Sequence, residues 1–169
     1  MARRPIQGSI SASGAASPRD LVSDQLRTVM QHWPTGVAVM AVKAGERIES
    51  ITVNSLVSVS LKPPLVLISL ATNAAIRPVL DDVARFTLSF LAVDQSRTAS
   101  MVADRMPMIE RLFDDAADPA IKEAIATMVC TVAQTHTAGD HILYLGAVEA
   151  VRLGRDAAPL MFLGGTYHR

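Results

Sequence analysis

Residues 51–70, ITVNSLVSVSLKPPLVLISL, alternate apolar and polar side chains until Lys62-Pro63-Pro64 leads into a run that is almost wholly apolar. Successive strand residues point to opposite sides. Taken two at a time, Ile51, Val53, Val57 and Val59 share one face with Ser55, and Thr52, Asn54, Ser58 and Ser60 share the other with Leu56. The polar face carries neutral hydrogen-bonding groups and none of the Lys or Glu that a solvated face would usually include. Two readings fit. The stretch is either a half-exposed strand with a Ser/Thr/Asn outer face, or a wall that offers uncharged donors and acceptors to a ligand, and spacing alone leaves both open.

The same periodicities predict the remaining elements. Ser17, Pro18 and Asp20 form a helix start, with a capping hydroxyl, a proline at the first helical position and an acid in the first turn. Leu21, Val22, Leu26, Val29 and Met30 then recur at helical spacing, and the helix is expected to stop near Trp33-Pro34, with Trp33 as a core plug. Residues 36–54 read as two strands joined by a turn at Ala44-Gly45, and residues 55–60 and 65–70 continue the sheet around the Pro-Pro corner. Arg77-Pro78 opens a short helix, residues 86–91 (FTLSFL) form a strand, and residues 94–106 form a helix beginning near Asp94. The acidic stretch 107–126 is a lid or an irregular connection. Two long strands follow on either side of a Gly139-Asp140 hairpin, before a closing segment PLMFLGGTYHR. Six or seven strands with two or three peripheral helices, and no regular strand-helix alternation, predict a mainly β fold in which an antiparallel sheet closes into a barrel.

Composition narrows the partners. A chain of 169 residues suits one domain, expected over residues 18–169, after a Ser/Ala/Gly/Pro-rich head over 1–17 that is expected to be disordered. The formal net charge is zero and no basic cluster interleaves with aromatics, so neither nucleic acid nor an anionic membrane is expected as a partner. Arg3-Arg4 is followed by no apolar signal region, and the single Cys130, set in an apolar alternation, reads as a core thiol; both point to a cytoplasmic protein. Asp81/Asp82 and Asp114/Asp115 read as solvated faces.

Chemistry-bearing signatures are few. There is no Gly-x-Gly-x-x-Gly after a strand, no phosphate-loop lysine, no Gly-x-Ser-x-Gly elbow and no His-Glu-x-x-His. Among four histidines only His136 and His141 approach a metal-like spacing, and no metal site is expected. What remains is the kind of chemistry that a bound organic cofactor performs for itself.

PTG (34–36), TVNSLVSVSLKPPLVLISL (52–70), GDHILYLGAVEAV (139–151) and PLMFLGGTYH (159–168) resemble, in order and separation, the flavin reductase-like family of FMN-binding split barrels. The resemblance spans most of residues 20–168. It implies an antiparallel split β-barrel, a homodimer with flavin sites at the subunit boundary, and an NAD(P)H-dependent flavin reductase that uses NADH or NADPH to reduce FMN or FAD for a partner monooxygenase. Carried over by position, flavin contacts fall on Thr35, Thr52, Val53, Asn54, Ser55, Ser58, Val59 and Ser60. Thr72, Asn73 and Arg77 lie where the FMN phosphate would be held. Gly139, Asp140 and His141 fall on the element that takes part in nicotinamide-nucleotide binding, with His141 as the catalytic candidate. Where relatives carry Ser and Thr two apart, this chain has Ala74 and Ile76, and the family's closing Tyr-His-Arg-Gly has become Phe162-Leu163-Gly164-Gly165. A flavin carrier or sensor without turnover, and a barrel kept as an interaction subunit, are the alternatives.

Overall fold

A computed structural model describes residues 18–114 and 116–168. The expected disordered head lies outside these residues. The chain divides into two compact units between Trp33 and Pro34. In the first, helix α1 spans Pro18–Met30, with Asp20 in its first turn and Arg27 in its last, each favourable for the helix dipole. Arg27 pairs with Asp24 at 3.4 Å. Its apolar stripe, Leu21, Val22, Leu26, Val29 and Met30, is exposed. Trp33 is 66% exposed, which corrects the core-plug expectation. It sits in the exit turn, its N–H donating to the Met30 carbonyl at 3.1 Å, where Pro34 forbids another helical turn.

The second unit is built from strands β1 (Thr35–Gly36), β2 (Ala38–Ala44), β3 (Arg47–Val53), β4 (Val57–Leu61), β5 (Pro64–Ala71), β6 (Arg85–Phe90), β7 (Ala126–Ala138), β8 (His141–Leu153), β9 (Met161–Leu163) and β10 (Thr166–His168). Helices α2 (Arg77–Val83) and α3 (Ser96–Ala103) and a 3-10 turn over Ile109–Leu112 complete it. The split into short β9 and β10, and β1 as a separate two-residue strand, raises the strand number above the expected six or seven. Among the described residues, no helix is long and apolar enough to cross a membrane.

A 7-stranded sheet runs β3-β2-β6-β7-β8-β5-β4, and a 3-stranded sheet runs β1-β9-β10, with antiparallel pairing throughout. β3 and β4 are the two edges of the larger sheet, yet only residues 54–56 separate them in the chain. A sheet whose opposite edges are so tied must curl round on itself, and the barrel stays open along that seam. The seam is fastened by Ser55, whose Oγ donates to the Ser69 carbonyl at 2.8 Å and accepts from the Ser69 N–H at 3.3 Å.

The seam corrects the two-face reading of residues 51–60. Three non-strand residues interrupt the alternation, and a bulge between Ser58 and Ser60 shifts it again. Val53 is buried, whereas Val57 and Val59 are 53% and 49% exposed on the edge strand.

β2 is the partition of the core. Ala38, Met40 and Val42 face one cluster with Ile68, Leu80, Phe86 and Tyr144, while Val39 and Ala41 face a second with Leu91, Val102, Phe113 and Leu160. Cys130 lies in the first cluster, and burial pushes its thiol up to about 12. Gly139 has φ +62°, which a tight hairpin needs at its first central residue. The Gly154 backbone passes so close to the strap below that a Cβ there would stand 1.9 Å from the Ala124 carbonyl oxygen.

Helix α3 is shorter than the expected 94–106, because Arg105 takes a positive φ of 51° that ends it. The stretch after it is an irregular strap. The Thr87 hydroxyl donates to the Pro119 carbonyl at 2.6 Å, the Ile121 N–H donates to Ser89 Oγ at 3.0 Å, and Gln95 Nε2 donates to the Lys122 carbonyl at 2.8 Å. Arg85 grips Asp118 through two bonds of 2.7 and 3.0 Å and also pairs with Glu149. Asp114, expected on a solvated face, instead accepts from the Ala120 N–H at 2.9 Å and pairs with Arg152 at 3.6 Å.

Candidate functional site

The seam positions the first group of sequence-predicted residues. β3 carries Thr52 and Val53 to the barrel's edge and the connection presents Asn54 there. They line a cavity of about 140 Å³ together with Val37, Ala103, Phe162 and Tyr167. Thr52 Oγ1 donates to the Ala99 carbonyl at 2.8 Å, so its proton fastens α3, whose last residue, Ala103, forms part of the rim. Asn54 is exposed, and among the described residues its side-chain amide has no hydrogen-bond partner.

The 3-stranded sheet supplies the other wall. Thr35 pairs with Phe162 across β1 and β9, and Phe162 pairs with Tyr167 across β9 and β10. Directly opposed residues of antiparallel strands project to the same side, so the three side chains form one row. The Phe162 and Tyr167 rings have centroids 5.4 Å apart and are tilted by 60°. Thr35 Oγ1 is buried and, among the described residues, has no partner. Such an orphaned buried hydroxyl is unusual enough to require an explanation. Desolvation, with the Asp104 carboxylate as a second cause, pushes the Tyr167 hydroxyl above its ordinary pKa.

A second cluster lies where β5 meets β8. Ala71 pairs with His141, and the Thr72 N–H donates to the Asp140 carbonyl at 2.9 Å, so the loop after β5 and the Gly139-Asp140 hairpin are neighbours. His141 Nδ1 and Asp140 Oδ1 are 2.8 Å apart, and this contact holds the Asp140 carboxyl below its ordinary value. Arg77, expected where a phosphate would be held, is also engaged by the chain itself. Its Nε donates to the Tyr144 hydroxyl at 3.0 Å, Nη1 donates to the Thr72 carbonyl, and Nη2 faces Asp81 at 3.4 Å. The Tyr144 bond is the foremost cause that raises the Arg77 pKa further.

The predicted residues thus separate into kinds. Thr52, Val53 and Asn54 meet at the cavity, and Thr72, Asp140 and His141 meet at the hairpin. Ser55 fastens the seam, and Ser60 Oγ accepts from the Lys62 N–H at 3.2 Å in the β4–β5 turn. Ser58 and Val59 stand on the exposed edge strand. Val37, Ala103, Phe162 and Tyr167 escaped the sequence reading. The signal for the last two was present in Gly164-Gly165 flanked by alternating residues, a hairpin pattern within what read as one closing segment.

A flavin ring offers a flat apolar body and an edge of amide-like carbonyls and N–H groups. The cavity matches both, with Val37 and Phe162 as apolar wall and the Asn54 amide and Tyr167 hydroxyl as neutral polar groups. An antiparallel barrel open along one seam, with a neutral pocket on that seam, is a split-barrel architecture fit for a planar organic group.

Comparison with known proteins places it further. The chain belongs to the flavin reductase like domain family, which matches residues 30–169. It is 34% identical over 161 residues to an NADH-dependent FAD reductase of Streptomyces globisporus, covering 90% of this chain and 87% of that one. It is 29% identical over 148 residues to the reductase component of 4-hydroxyphenylacetate 3-monooxygenase of Thermus thermophilus, covering 88% and 97%. Among solved structures it resembles BorF, the flavin reductase component of a bacterial two-component tryptophan halogenase, with a TM-score of 0.79 and 30% identity over 86% of this chain and 96% of that one.

Proposed function

We propose that this protein is an NAD(P)H-dependent flavin reductase that takes FMN or FAD at the seam cavity and supplies the reduced flavin to a partner monooxygenase. The observation that carries the reading is the seam cavity itself, where an unpartnered Asn54 amide faces an apolar and aromatic wall. Flavin held there would supply the redox chemistry, that of a hydride acceptor. The chain's own residues orient and exclude. Val37 and Phe162 hold the ring on an apolar surface, Asn54 addresses its polar edge, and His141, oriented by Asp140, meets the incoming nicotinamide nucleotide. Acceleration then comes from holding two rings at a reactive distance. The relatives named above, an FAD reductase and a monooxygenase's reductase component, support this reading.

The working form is a cytoplasmic homodimer. Val57, Val59 and Leu61 on the edge strand β4, with Val151 and Leu153 at the far end of β8, are exposed apolar side chains suited to cover by a second copy. Light scattering of the purified protein should report twice the 18.1 kDa chain mass.

The deciding experiment follows loss of NADH and NADPH absorbance with no flavin, with FMN and with FAD, beside a fluorescence titration of each flavin. Flavin-dependent oxidation establishes the reductase. Binding without oxidation makes the protein a carrier, and the absence of both binding and oxidation would remove flavin chemistry from this barrel.

A further inference from the structure

We propose that Tyr167 is a positioning residue for the flavin ring, acting through its aromatic ring and hydroxyl in the cavity that Asn54 also lines; this rests on the flavin reading of the seam cavity. Three observations converge on it. Tyr167 lines the cavity beside Phe162, against which its ring is tilted at a centroid distance of 5.4 Å. Aromatic pairs in this range hold one another's orientation. Among the described residues the Tyr167 hydroxyl, like the Asn54 amide, has no protein hydrogen-bond partner, so the cavity brings together two polar groups that are not satisfied from within the chain. Finally, the register row Thr35–Phe162–Tyr167 puts the orphaned, buried Thr35 Oγ1 on the same face of the 3-stranded sheet. The buried Thr35 hydroxyl is costly to maintain for packing alone, because unsatisfied buried polar groups oppose folding, and the half-buried Tyr167 ring stands on the same face.

The hairpin that carries Tyr167 explains how so short an element achieves this. β9 and β10 are three residues each, joined by Gly164 and Gly165 at φ 61° and 81°. Two consecutive positive φ angles make the tight turn that returns Tyr167 directly opposite Phe162. β1 then fixes β9, since Thr35 and Gly36 pair with Phe162 and Met161. The ring is therefore held by backbone register on one side and by an aromatic contact on the other.

Tyr167→Phe and Tyr167→Ala in the full chain test the assignment by flavin titration, bound-flavin emission and the KM for NADH at saturating flavin. Tyrosine at contact with an excited flavin quenches it by electron donation, and phenylalanine does not. Tyr167→Phe should keep the wild-type melting temperature, weaken FMN affinity about 3- to 10-fold through loss of one hydrogen bond, and brighten the bound flavin. Tyr167→Ala should weaken affinity more than 10-fold, and Tyr167→Trp should restore quenching. A purely structural role would lower the melting temperature without brightening the bound flavin of Tyr167→Phe. Wild-type protein that binds flavin while Tyr167→Phe and Tyr167→Ala show unchanged affinity and emission overturns the role of Tyr167 and leaves the reductase reading standing. Wild-type protein that neither binds nor turns over flavin overturns both.

Discussion

Tyr144, only 1% exposed on β8, donates its hydroxyl to Asp81 of α2 at 2.7 Å while accepting from Arg77 Nε at 3.0 Å. One buried phenol therefore ties the barrel wall to successive turns of a helix of about two turns, and Asp81, though exposed as expected, also belongs to this network. Burial, together with the Asp81 carboxylate, pushes the Tyr144 hydroxyl above its ordinary pKa. Tyr144→Phe keeps the packing and removes the link. Urea denaturation should show a loss of about 1–1.5 kcal/mol, at or below the bottom of the range for a bond to a charged group, because Asp81 is half exposed.

Asn54 and His141 lie in different clusters, so their losses should separate. Asn54→Ala should weaken flavin binding by about 1 kcal/mol for each hydrogen bond removed, with little effect on the KM for the nicotinamide nucleotide. His141→Ala should do the reverse. Equal flavin affinity in Asn54→Ala, or unaltered nucleotide kinetics in His141→Ala, would refute the corresponding role.

Acid should loosen the strap. The Arg85 guanidinium holds the Asp118 carboxyl below its ordinary value of 3.8. A carboxylate with a lowered folded-state pKa stabilises fully above the unfolded value and loses that contribution as pH falls through the folded one. Stability of the wild type should thus fall below pH 3.8 more steeply than that of Asp118→Asn, which has no charge to lose there. Parallel urea midpoints for the two proteins across this range would refute the coupling.

Cys130 provides a probe of global opening. Its thiol, buried and shifted up to about 12, presents almost no thiolate at neutral or mildly alkaline pH. Alkylation of the native protein should be negligible, and labelling in urea should follow the unfolding curve. Rapid modification without denaturant would mean that the core around β7 opens locally.

Much of this architecture was legible in the alternation of side chains. β2 and β3 with their turn, β5 through the Pro-Pro corner, β6, and the long β7–β8 hairpin at Gly139-Asp140 all follow from period-two patterning and turn chemistry. The seam was not, because Ile51 to Ser60 keeps alternating through residues 54–56, and the break there is imposed by barrel closure rather than by local preference. Val57 and Val59 show a related limit. A β-branched residue on an exposed edge reads the same as one in the core. Phe162 and Tyr167 sit on strands of three residues, too short for a periodic signal. Thr87 and Ser89, two polar residues inside the apolar run FTLSFL, went unread as a signal, yet both are buried and meet the Pro119 carbonyl and the Ile121 N–H.

The fastening of the strap bears on time as well as shape. Lifting residues 118–122 would break the Thr87, Ser89 and Gln95 bonds and the Arg85–Asp118 pair together, so this segment does not serve as a door. On the function proposed above, the residence of a ring at Asn54 would not wait on this segment. For a catalyst whose product is a diffusible carrier of electrons, a loosely held ring is an asset: each weakening of the pocket shortens the wait before the next protein receives its reducing equivalents.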